Sequence, residues 1–241
     1  SAIQAAILCC PKNARVLIPK GTYPVTALFL KSDMILELQE NAVLAGIYDR
    51  ARTPILPGQI EYDNEDGYYN LGSWEGNPID SFASMITGIH VKNVTICGKG
   101  VLDGRADFEN WWSRPKDKIR AWRPRMIFLN HCENITVVGV TVQNSPAWNL
   151  HPYFSNQIRF LDMEVKGPAN SHNTDGCDPE SCTNVEIAGV HFSVGDDCIA
   201  IKSGKIYMGK KFKVPSKHIH IRQSWMQDGH GAVTVGSEIA A

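Results

Sequence analysis

Aspartate and histidine recur in three short motifs in the second half of the sequence: NTDG at 173–176, GDDC at 195–198 and GHG at 229–231. Asp196 and Asp197 are adjacent, and two like charges this close disfavour joint ionisation and push their pKa values apart. Carboxyl groups in two protonation states suit general acid–base chemistry, such as the hydrolysis of glycosidic bonds. An Asp pair can also bind a metal ion or lie in a solvated turn, because Asp is a common turn residue.

Four segments that end in serine bring these motifs into one alignment. They are WNLHPYFS (Ser155), DGCDPES (Ser181), DCIAIKS (Ser203) and GAVTVGS (Ser237), and the positions six residues before each serine are Asn149, Asp175, Asp197 and Gly231. If these segments stack as neighbouring strands, aligned residues lie about 4.8 Å apart at the backbone. Asp175 then lies over Asp197, and Asp196 shares the next column with His230. The alignment predicts one site with three carboxylates and an imidazole.

A second repeat indicates the elements that position this site. The segments NVTICG, NITVVGV, QIRFLDM, NVEIAGV and HIHIRQS begin at Asn93, Asn134, Gln157, Asn184 and His218, and each continues with apolar residues at alternate positions. Alternation of this kind is typical of strands. The intervening segments lack the helical period that a βαβ fold requires, and the repeats share one direction, which disfavours hairpins. We therefore predict an all-β solenoid, with the five polar residues stacked as a ladder at one corner.

The rest of the chain fits one solenoid domain over residues 1–241. Residues 1–10 have helical apolar spacing and are expected to form a short helix that caps the open end of the solenoid. Two insertions, residues 48–80 and 104–125, interrupt the repeat, and loops of this length are usually functional or disordered. Trp111, Trp112 and Trp122 lie in or beside a cation-rich loop, where they could contact sugar rings or anchor the loop.

Composition excludes several classes of protein. The net charge of −1 argues against general nucleic-acid binding, and no apolar stretch is long enough for a transmembrane helix. The N-terminal residues lack the features of a signal peptide. Seven cysteines include no CxxC pattern, so they do not indicate a metal site.

The three motifs, in this order and at these intervals, resemble the signature motifs of glycoside hydrolase family 28, the polygalacturonases. NSPAWNLHP at 144–152 and RVLIPKGTY at 15–23 are also similar to that family. The resemblance implies a right-handed single-stranded parallel β-helix that hydrolyses α-1,4-galacturonosidic bonds of pectin with inversion, without a metal or cofactor. By motif, Asp196 resembles the general acid, Asp175 and Asp197 resemble the pair that activates water, and His230 resembles the histidine that supports the acid.

Other residues of the motifs and their neighbours are candidates for substrate binding. They are Lys202, His151, His172 and Asn173. The Arg-Ile-Lys motif that holds a substrate carboxylate in this family normally follows GHG by a few tens of residues, and the sequence ends at Ala241 before such a motif. We therefore expect a C-terminally truncated, incomplete chain that is itself inactive.

Several functional alternatives remain at this point. The two insertions favour exo-action on a polygalacturonate chain or oligogalacturonide, and a rhamnogalacturonan or xylogalacturonan hydrolase of the same family is a close alternative. A calcium-dependent pectate lyase would also be a parallel β-helix with clustered Asp, although calcium prefers six to eight oxygen ligands. A non-catalytic glycan-binding solenoid is the third class. We expect a monomer that does not bind nucleic acid or membranes, secreted or periplasmic, or cytoplasmic if it acts on imported oligosaccharides.

Overall fold

The computed structural model describes residues 1–59 and 70–241 and consists mainly of short strands. Two helices are present in this part of the chain, α1 (Ala2–Cys9) and α2 (Ile206–Phe212). The strands are β1 (Ala14–Ile18), β2 (Gly21–Val25), β3 (Leu28–Phe29), β4 (Met34–Leu38), β5 (Ala42–Gly46), β6 (Ile55–Leu56), β7 (Ser81–Phe82), β8 (Ile86–Ile89), β9 (Lys92–Gly98), β10 (Val101–Asp103), β11 (Ile127–Asn130), β12 (Glu133–Val138), β13 (Thr141–Gln143), β14 (Leu150–Tyr153), β15 (Asn156–Leu161), β16 (Glu164–Lys166), β17 (Thr183–Ala188), β18 (His191–Ser193), β19 (Ile199–Ile201), β20 (Lys217–Arg222), β21 (Trp225–Gln227) and β22 (Val233–Val235).

These strands form the three faces of a parallel solenoid. Sheet 1 has the order β1-β4-β9-β12-β15-β17-β20, and sheet 2 has the order β2-β5-β10-β13-β16-β18-β21. Sheet 3 consists of β3-β8-β11-β14 and the pair β19-β22, and parallel bridges through Cys177 and Glu180 connect these two parts. Each coil contributes a strand to successive faces, and the short pair β6-β7 is antiparallel. The predicted β-solenoid is therefore confirmed.

Alternation along each strand produces the core. On sheet 1, the parallel register stacks one inward column of fully buried side chains, which comprises Leu36, Ile96, Val137, Phe160 and Ile187. The residues between them point to solvent, as expected for a period of two. Burial of one such side chain contributes about 1.5–3 kcal/mol, so the stacked columns are the main source of stability between coils.

The polar ladder predicted from the repeat lies at the corner where the chain enters sheet 1. Its residues are in register and have φ between 53° and 59°, and they are Asp33, Asn93, Asn134, Gln157, Asn184 and His218. Asn tolerates this left-handed conformation better than most residues. Asn134 Nδ2 donates to Asn93 Oδ1 at 2.9 Å, and Asn93 Nδ2 donates to Asp33 Oδ1 at 2.7 Å.

A second ladder lies inside the solenoid beside the same corner. The Cys132 N–H donates to Ser155 Oγ at 2.8 Å, the Ser155 N–H donates to Cys182 Sγ at 3.4 Å, and the Cys182 N–H donates to Ser216 Oγ at 3.1 Å. Buried backbone N–H groups need acceptors, and this thiol–hydroxyl ladder supplies one on each successive coil.

Helix α1 caps the first coil, as predicted. Ile7 is fully buried against the core, and the Gln4 side chain binds the backbone of Phe29 in both directions, with the Phe29 N–H donating to Oε1 at 2.7 Å and Nε2 donating to the Phe29 carbonyl at 2.9 Å. The edge strand β3 thus finds hydrogen-bond partners in a side chain instead of another strand. Within the described residues, neither helix has the length and apolarity to cross a membrane.

The two predicted insertions lie on one side of the solenoid. Residues 60–69 of the first insertion are outside the described part of the chain. In the second, Trp111 and Trp112 are buried, and Trp112 Nε1 donates to the Ser145 carbonyl at 3.1 Å. Trp122 stacks on Trp74 of the first insertion with ring centroids 4.8 Å apart. These three indoles therefore anchor the insertions to the body.

Candidate active site

The three sequence motifs meet at the start of sheet 3, on adjacent coils. Asp175 precedes the bridge residue Cys177, Asp196 and Asp197 precede β19, and His230 precedes β22. The bridge Cys177↔Ile199 and the pair Ile199↔Val233 fix the register, which places Asp175 opposite Asp197 and Asp197 opposite Gly231. The predicted stacking of Asp175 over Asp197 is present in the structure.

The carboxylates converge as predicted. One oxygen each of Asp175, Asp196 and Asp197 lies within 4.8 Å of the others. His230 Nδ1 lies 3.2 Å from Asp196 Oδ1, and the same oxygen accepts the Asp197 N–H at 3.0 Å. These two contacts fix Asp196 through one oxygen and do not engage the other.

The first segment of the serine alignment, WNLHPYFS, is shifted by one residue relative to the other three. The bridges Leu150↔Cys177 and Tyr153↔Glu180 place Trp148, and not Asn149, opposite Asp175. The reason is the thiol–hydroxyl ladder, in which Ser155 pairs with Cys182 instead of Ser181. A cysteine occupies the position that the alignment assigned to serine.

Glycines at the motif turns make room for the site. A Cβ on Gly231 would lie 2.7 Å from Asp197 Oδ1, and a Cβ on Gly195 would lie 2.4 Å from the Ser171 carbonyl oxygen. Thr174 Oγ1 accepts the Gly195 N–H at 3.2 Å, so the NTDG and GDDC turns are hydrogen-bonded to each other. This hydrogen bond and the close approach of the backbone at the glycines hold the turns that carry Asp175 and Asp196 in a fixed relative position.

Two side chains that the sequence suggested as substrate contacts are buried beneath the site. His151 is fully buried, and its Nε2 lies 2.9 Å from Glu180 Oε2. Lys202 lines the cleft but is only 5 % exposed, and its Nζ donates to Glu238 Oε2 at 2.8 Å and to the Gly236 carbonyl at 3.1 Å. The structure places His151 in the interior and Lys202 at the floor of the cleft, and both side chains take part in an internal polar network.

The other two suggested contacts lie at the cleft. His172 is exposed, and Asn173 is half-buried. Asn173 Oδ1 accepts a hydrogen bond from Arg123 Nη2 at 2.6 Å, and Arg123 also donates to the carbonyls of Pro146 and His172. Arg123 comes from the second insertion and holds the NTDG turn in place.

Comparison with known proteins identifies the family. The model of glycosyl hydrolases family 28 matches residues 55–240. The chain belongs to glycosyl hydrolases family 28.

Curated relatives of this family 28 chain are polygalacturonases. The chain is 31 % identical to a probable polygalacturonase from Vitis vinifera over 95 % of its own length and 45 % of the relative. It is 29 % identical to an endo-polygalacturonase from Pectobacterium parmentieri over 99 % of the chain and 58 % of the relative. It is 28 % identical to an exo-poly-alpha-D-galacturonosidase from Dickeya chrysanthemi, of which it covers 45 %. The chain thus spans about half the length of these relatives.

Solved structures agree with this assignment. The family 28 chain superimposes on an exopolygalacturonase from Yersinia enterocolitica with a TM-score of 0.81 and 25 % identity, covering 98 % of this chain and 47 % of that one. For an exopolygalacturonase from Thermotoga maritima the TM-score is 0.76 and the identity 27 %, over 93 % of this chain and 55 % of that one. The right-handed parallel β-helix that the resemblance implied is confirmed.

The family 28 motifs lie between two cavities. One, of about 480 Å³, is lined by Asp175, Asp197, Lys205 and Glu75 among others, and the second, of about 320 Å³, is lined by Lys116, His172 and His230. Asn173 and Asp196 line both. A groove of about 510 Å³ on the solvent face of sheet 1 contains the ion pair of Glu186 with Arg222 but no group of converging carboxylates, so it is not the candidate active site.

The electrostatics of the site single out Asp175. Burial, and then the negative charge of Asp196, raise the pKa of Asp175 to about 7, although Lys202 acts in the opposite direction. A carboxyl group with a raised pKa is a stronger base once it is ionised, which suits activation of water near neutral pH.

The motifs did not reveal the buried charged residues below the family 28 site. Asp178, Glu180 and Glu238 are almost fully buried, as are Arg123 and Arg125. Asp178 lies three residues after Asp175, and Glu180 lies directly before the aligned serine Ser181. These acidic residues in the aligned segment were the sequence signal for a charged group beside the site. Their burial could not be foreseen, because charged residues in a strand are usually at the surface.

Proposed function

We propose that this protein hydrolyses α-1,4-galacturonosidic bonds in polygalacturonate. The observation that carries the proposal is the convergence of Asp175, Asp196 and Asp197 within 4.8 Å, with His230 on Asp196. An oxygen-rich cluster between two cavities fits a bond-cleaving site that receives sugar units on both sides. The family and the names of the relatives support galacturonan as the substrate.

The geometry supports a division of roles among the carboxyl groups. Asp196 lines both cavities and therefore lies next to the bond that joins the sugars in them, which suits a general acid that protonates the glycosidic oxygen. Asp175 and Asp197 face each other on neighbouring coils, and together they can bind one water molecule and accept its proton. Attack by that water on the face opposite the leaving oxygen inverts the anomeric carbon.

His230 supports Asp196 in this scheme. Its Nδ1 lies 3.2 Å from Asp196 Oδ1, and it shares that oxygen with the Asp197 N–H. The Asp196 carboxyl is thereby oriented so that its second oxygen can serve the substrate. Proton donation needs this orientation, because general acids act at hydrogen-bond distance from the leaving group.

The insertions support exo-action as the mode of cleavage. The Lys205 N–H donates to the Gly76 carbonyl at 3.0 Å, and Lys205 Nζ lies 3.4 Å from Glu75 Oε2. The first insertion is thus attached across one end of the larger cavity. Pro115 and Lys116 of the second insertion line the smaller cavity. Walls at both cavities limit the length of chain that the cleft accommodates and favour release from a chain end.

Product analysis on polygalacturonate tests the function, with the chain and any longer gene product that contains it. We expect new reducing ends, saturated products, mono- or digalacturonate from the earliest time points, and inverted anomeric configuration by ¹H NMR. A ladder of oligomers at low conversion would show endo-action instead. Activity on rhamnogalacturonan or xylogalacturonan, with none on polygalacturonate, would favour a different substrate within the family.

The same assay separates the other classes of protein. Unsaturated products that absorb in the ultraviolet and disappear on chelation of calcium would identify a lyase. Binding of oligogalacturonate without any cleavage would identify a glycan-binding solenoid. A pectic substrate lies in the cell wall, which favours a secreted or periplasmic location. That location and the monomeric state stay predictions.

A further inference from the structure

A buried group of charged residues lies directly below Asp175. Asp178 is fully buried and Asp175 is 4 % exposed. Lys202 Nζ lies 3.6 Å from Asp178 Oδ1 and 2.8 Å from Glu238 Oε2, so one lysine serves two acidic residues. Asp175 is the third acidic residue near this lysine, and a second buried cation, Arg125, interacts with Glu180 as well as Asp178. Acidic side chains therefore outnumber the cations in this buried region, which burial penalises strongly.

The hydrogen bonds of these carboxyl groups are incomplete. Within the described residues, neither oxygen of Asp178 has a hydrogen-bond donor of ordinary geometry, and Oδ1 of Asp175 has none either. The two side chains nevertheless interact with each other across three residues of the chain, and the charge of Asp175 raises the pKa of Asp178. An ionised carboxylate only accepts hydrogen bonds, whereas a protonated one donates one. One proton on Asp178 therefore gives Asp175 the donor that the pair lacks.

We propose that Asp178, with Lys202, is a positioning residue for hydrolysis: it keeps a proton and donates it in a hydrogen bond to the ionised Asp175. The proposal rests on the proposed function, since it gives Asp175 the role of base. Lys202 is close to Asp178 and pairs with Glu238, and its positive charge also opposes the charge of Asp175. In this scheme Lys202 acts from the floor of the cleft on the carboxylates instead of on a sugar.

The electrostatics agree with this arrangement of charges. Burial and the charge of Asp175 raise the pKa of Asp178 well above its ordinary value. Burial lowers the pKa of Lys202, but Asp178, Asp175 and Glu238 outweigh it and hold that pKa above its ordinary value. The charged groups that act on Asp175 are Asp196, Lys202, Asp178 and Arg123. Glu238 and Arg125 act on Asp178 beside it, and Asp197 lines the same cavity.

Titration of aspartate carboxyl carbons by ¹³C NMR tests the proposal without a substrate. The signal that is lost in Asp178→Asn identifies Asp178. In the wild-type protein we expect this signal to stay in its protonated position while Asp175 titrates. Ionisation of Asp178 in the ordinary aspartate range, near pH 4, would overturn the proposal on the wild-type protein alone.

Variants separate the proton from the charge. Asp178→Asn keeps a donor without a charge, so the pKa of Asp175 should shift by less than about half a unit. Asp178→Leu removes the donor, and Lys202→Met removes the positive charge. Each should raise the pKa of Asp175 and move the acidic limb of the kcat/KM profile to higher pH by about one unit. A downward shift in Asp178→Asn would show that Asp178 is ionised, contrary to the proposal.

A control variant and the enzymatic assay distinguish failure of the positioning role from failure of the proposed function. Asp162→Asn changes an exposed aspartate at the corner between sheets 1 and 2, and it should leave both the titration and the pH profile unchanged. If wild-type protein releases no reducing ends but Asp178 keeps its proton, the proposed function fails and the charge arrangement stands. If hydrolysis occurs and Asp178→Leu has the wild-type pH profile, the positioning role is wrong.

Discussion

At the scale of residues, adjacent Asp196 and Asp197 differ in what holds them. Asp196 Oδ1 contacts His230 and the Asp197 N–H, whereas Asp197 Oδ1 lies beside Gly231, where a larger residue would clash. Adjacent residues at the start of a strand direct their side chains to different neighbours, so Asp196 and Asp197 occupy two distinct environments. This explains how one pair could supply both an acid and part of the base.

Substitution of each catalytic candidate tests the assigned roles. Asp175→Asn, Asp196→Asn and Asp197→Asn should each reduce kcat by at least about a hundredfold, because an amide neither donates nor accepts the transferred proton. Oligogalacturonate binding, measured by calorimetry, should persist. The matched control is Asp228→Asn, a change at an aspartate that lines neither cavity. Wild-type turnover in any of the three would remove that residue from the mechanism.

Lys116 is the residue for which the structure adds a substrate contact. It is exposed at the cavity that His172 and His230 line, and uronate carboxylates are anionic. Lys116→Met should raise KM for polygalacturonate by about threefold to tenfold with a small change in kcat, since exposed ion pairs contribute about 1 kcal/mol. Methyl-esterified substrate should show no such penalty.

Lys118→Met is the control for that prediction. Lys118 lies two residues away on the same insertion, but its Nζ is 3.4 Å from Asp80 and it does not line the cavity. Equal effects of the two substitutions would indicate general charge attraction to the insertion instead of a contact by Lys116.

At the scale of elements, the corners of the coils determine the register. Asn134 has φ of 53° and donates to Asn93, and Arg159 donates to Asn134 Oδ1 at 3.3 Å. Asn134→Ala should reduce the free energy of unfolding by about 1–2 kcal/mol, because alanine lacks the hydrogen bonds and is unfavourable in the left-handed region. Urea unfolding followed by circular dichroism would measure this.

Asn134→Gly separates the two contributions in that prediction. Glycine lacks the side-chain hydrogen bonds but adopts positive φ without strain, so it should be less destabilising than alanine where conformation dominates. If glycine is the more destabilising of the two, the left-handed conformation is not the reason for a polar residue at this corner.

The sequence could predict the strands and site residues that are marked by a pattern within a short stretch of the chain. Alternation and the repeated Asn located the strands of sheet 1, and the motifs located Asp175, Asp196, Asp197 and His230. The burial of Lys202 and His151 depends on contacts with Glu238 and Glu180 that are 36 and 29 residues away in sequence. The shift of Asn149 depended on a cysteine in place of a serine. Such contacts come from the stacking of whole coils, which no local pattern encodes.

At the scale of the whole molecule, the solenoid is a series of coils in which each contacts mainly its neighbours. Stability in such a fold is a sum of local terms, so coils can open separately. All seven cysteines belong to the described residues, and none forms a disulfide. They are distributed from the cap to the coil of the active site, and Cys9 is the one that is exposed.

The thiol–hydroxyl ladder also limits the redox chemistry of two cysteines, Cys132 and Cys182. Ser155 separates Cys132 from Cys182, so these thiols lie two strand spacings apart, too far for a disulfide. Burial raises the pKa of both thiols to about 12, which leaves little reactive thiolate. We expect rapid labelling of Cys9, slower labelling of the half-buried Cys97, and labelling of the five buried cysteines at rates set by opening of their coils. Mass spectrometry of a labelling time course would test this, and early modification of Cys132 or Cys182 would contradict it. The buried thiols would then serve as built-in reporters of how each coil opens.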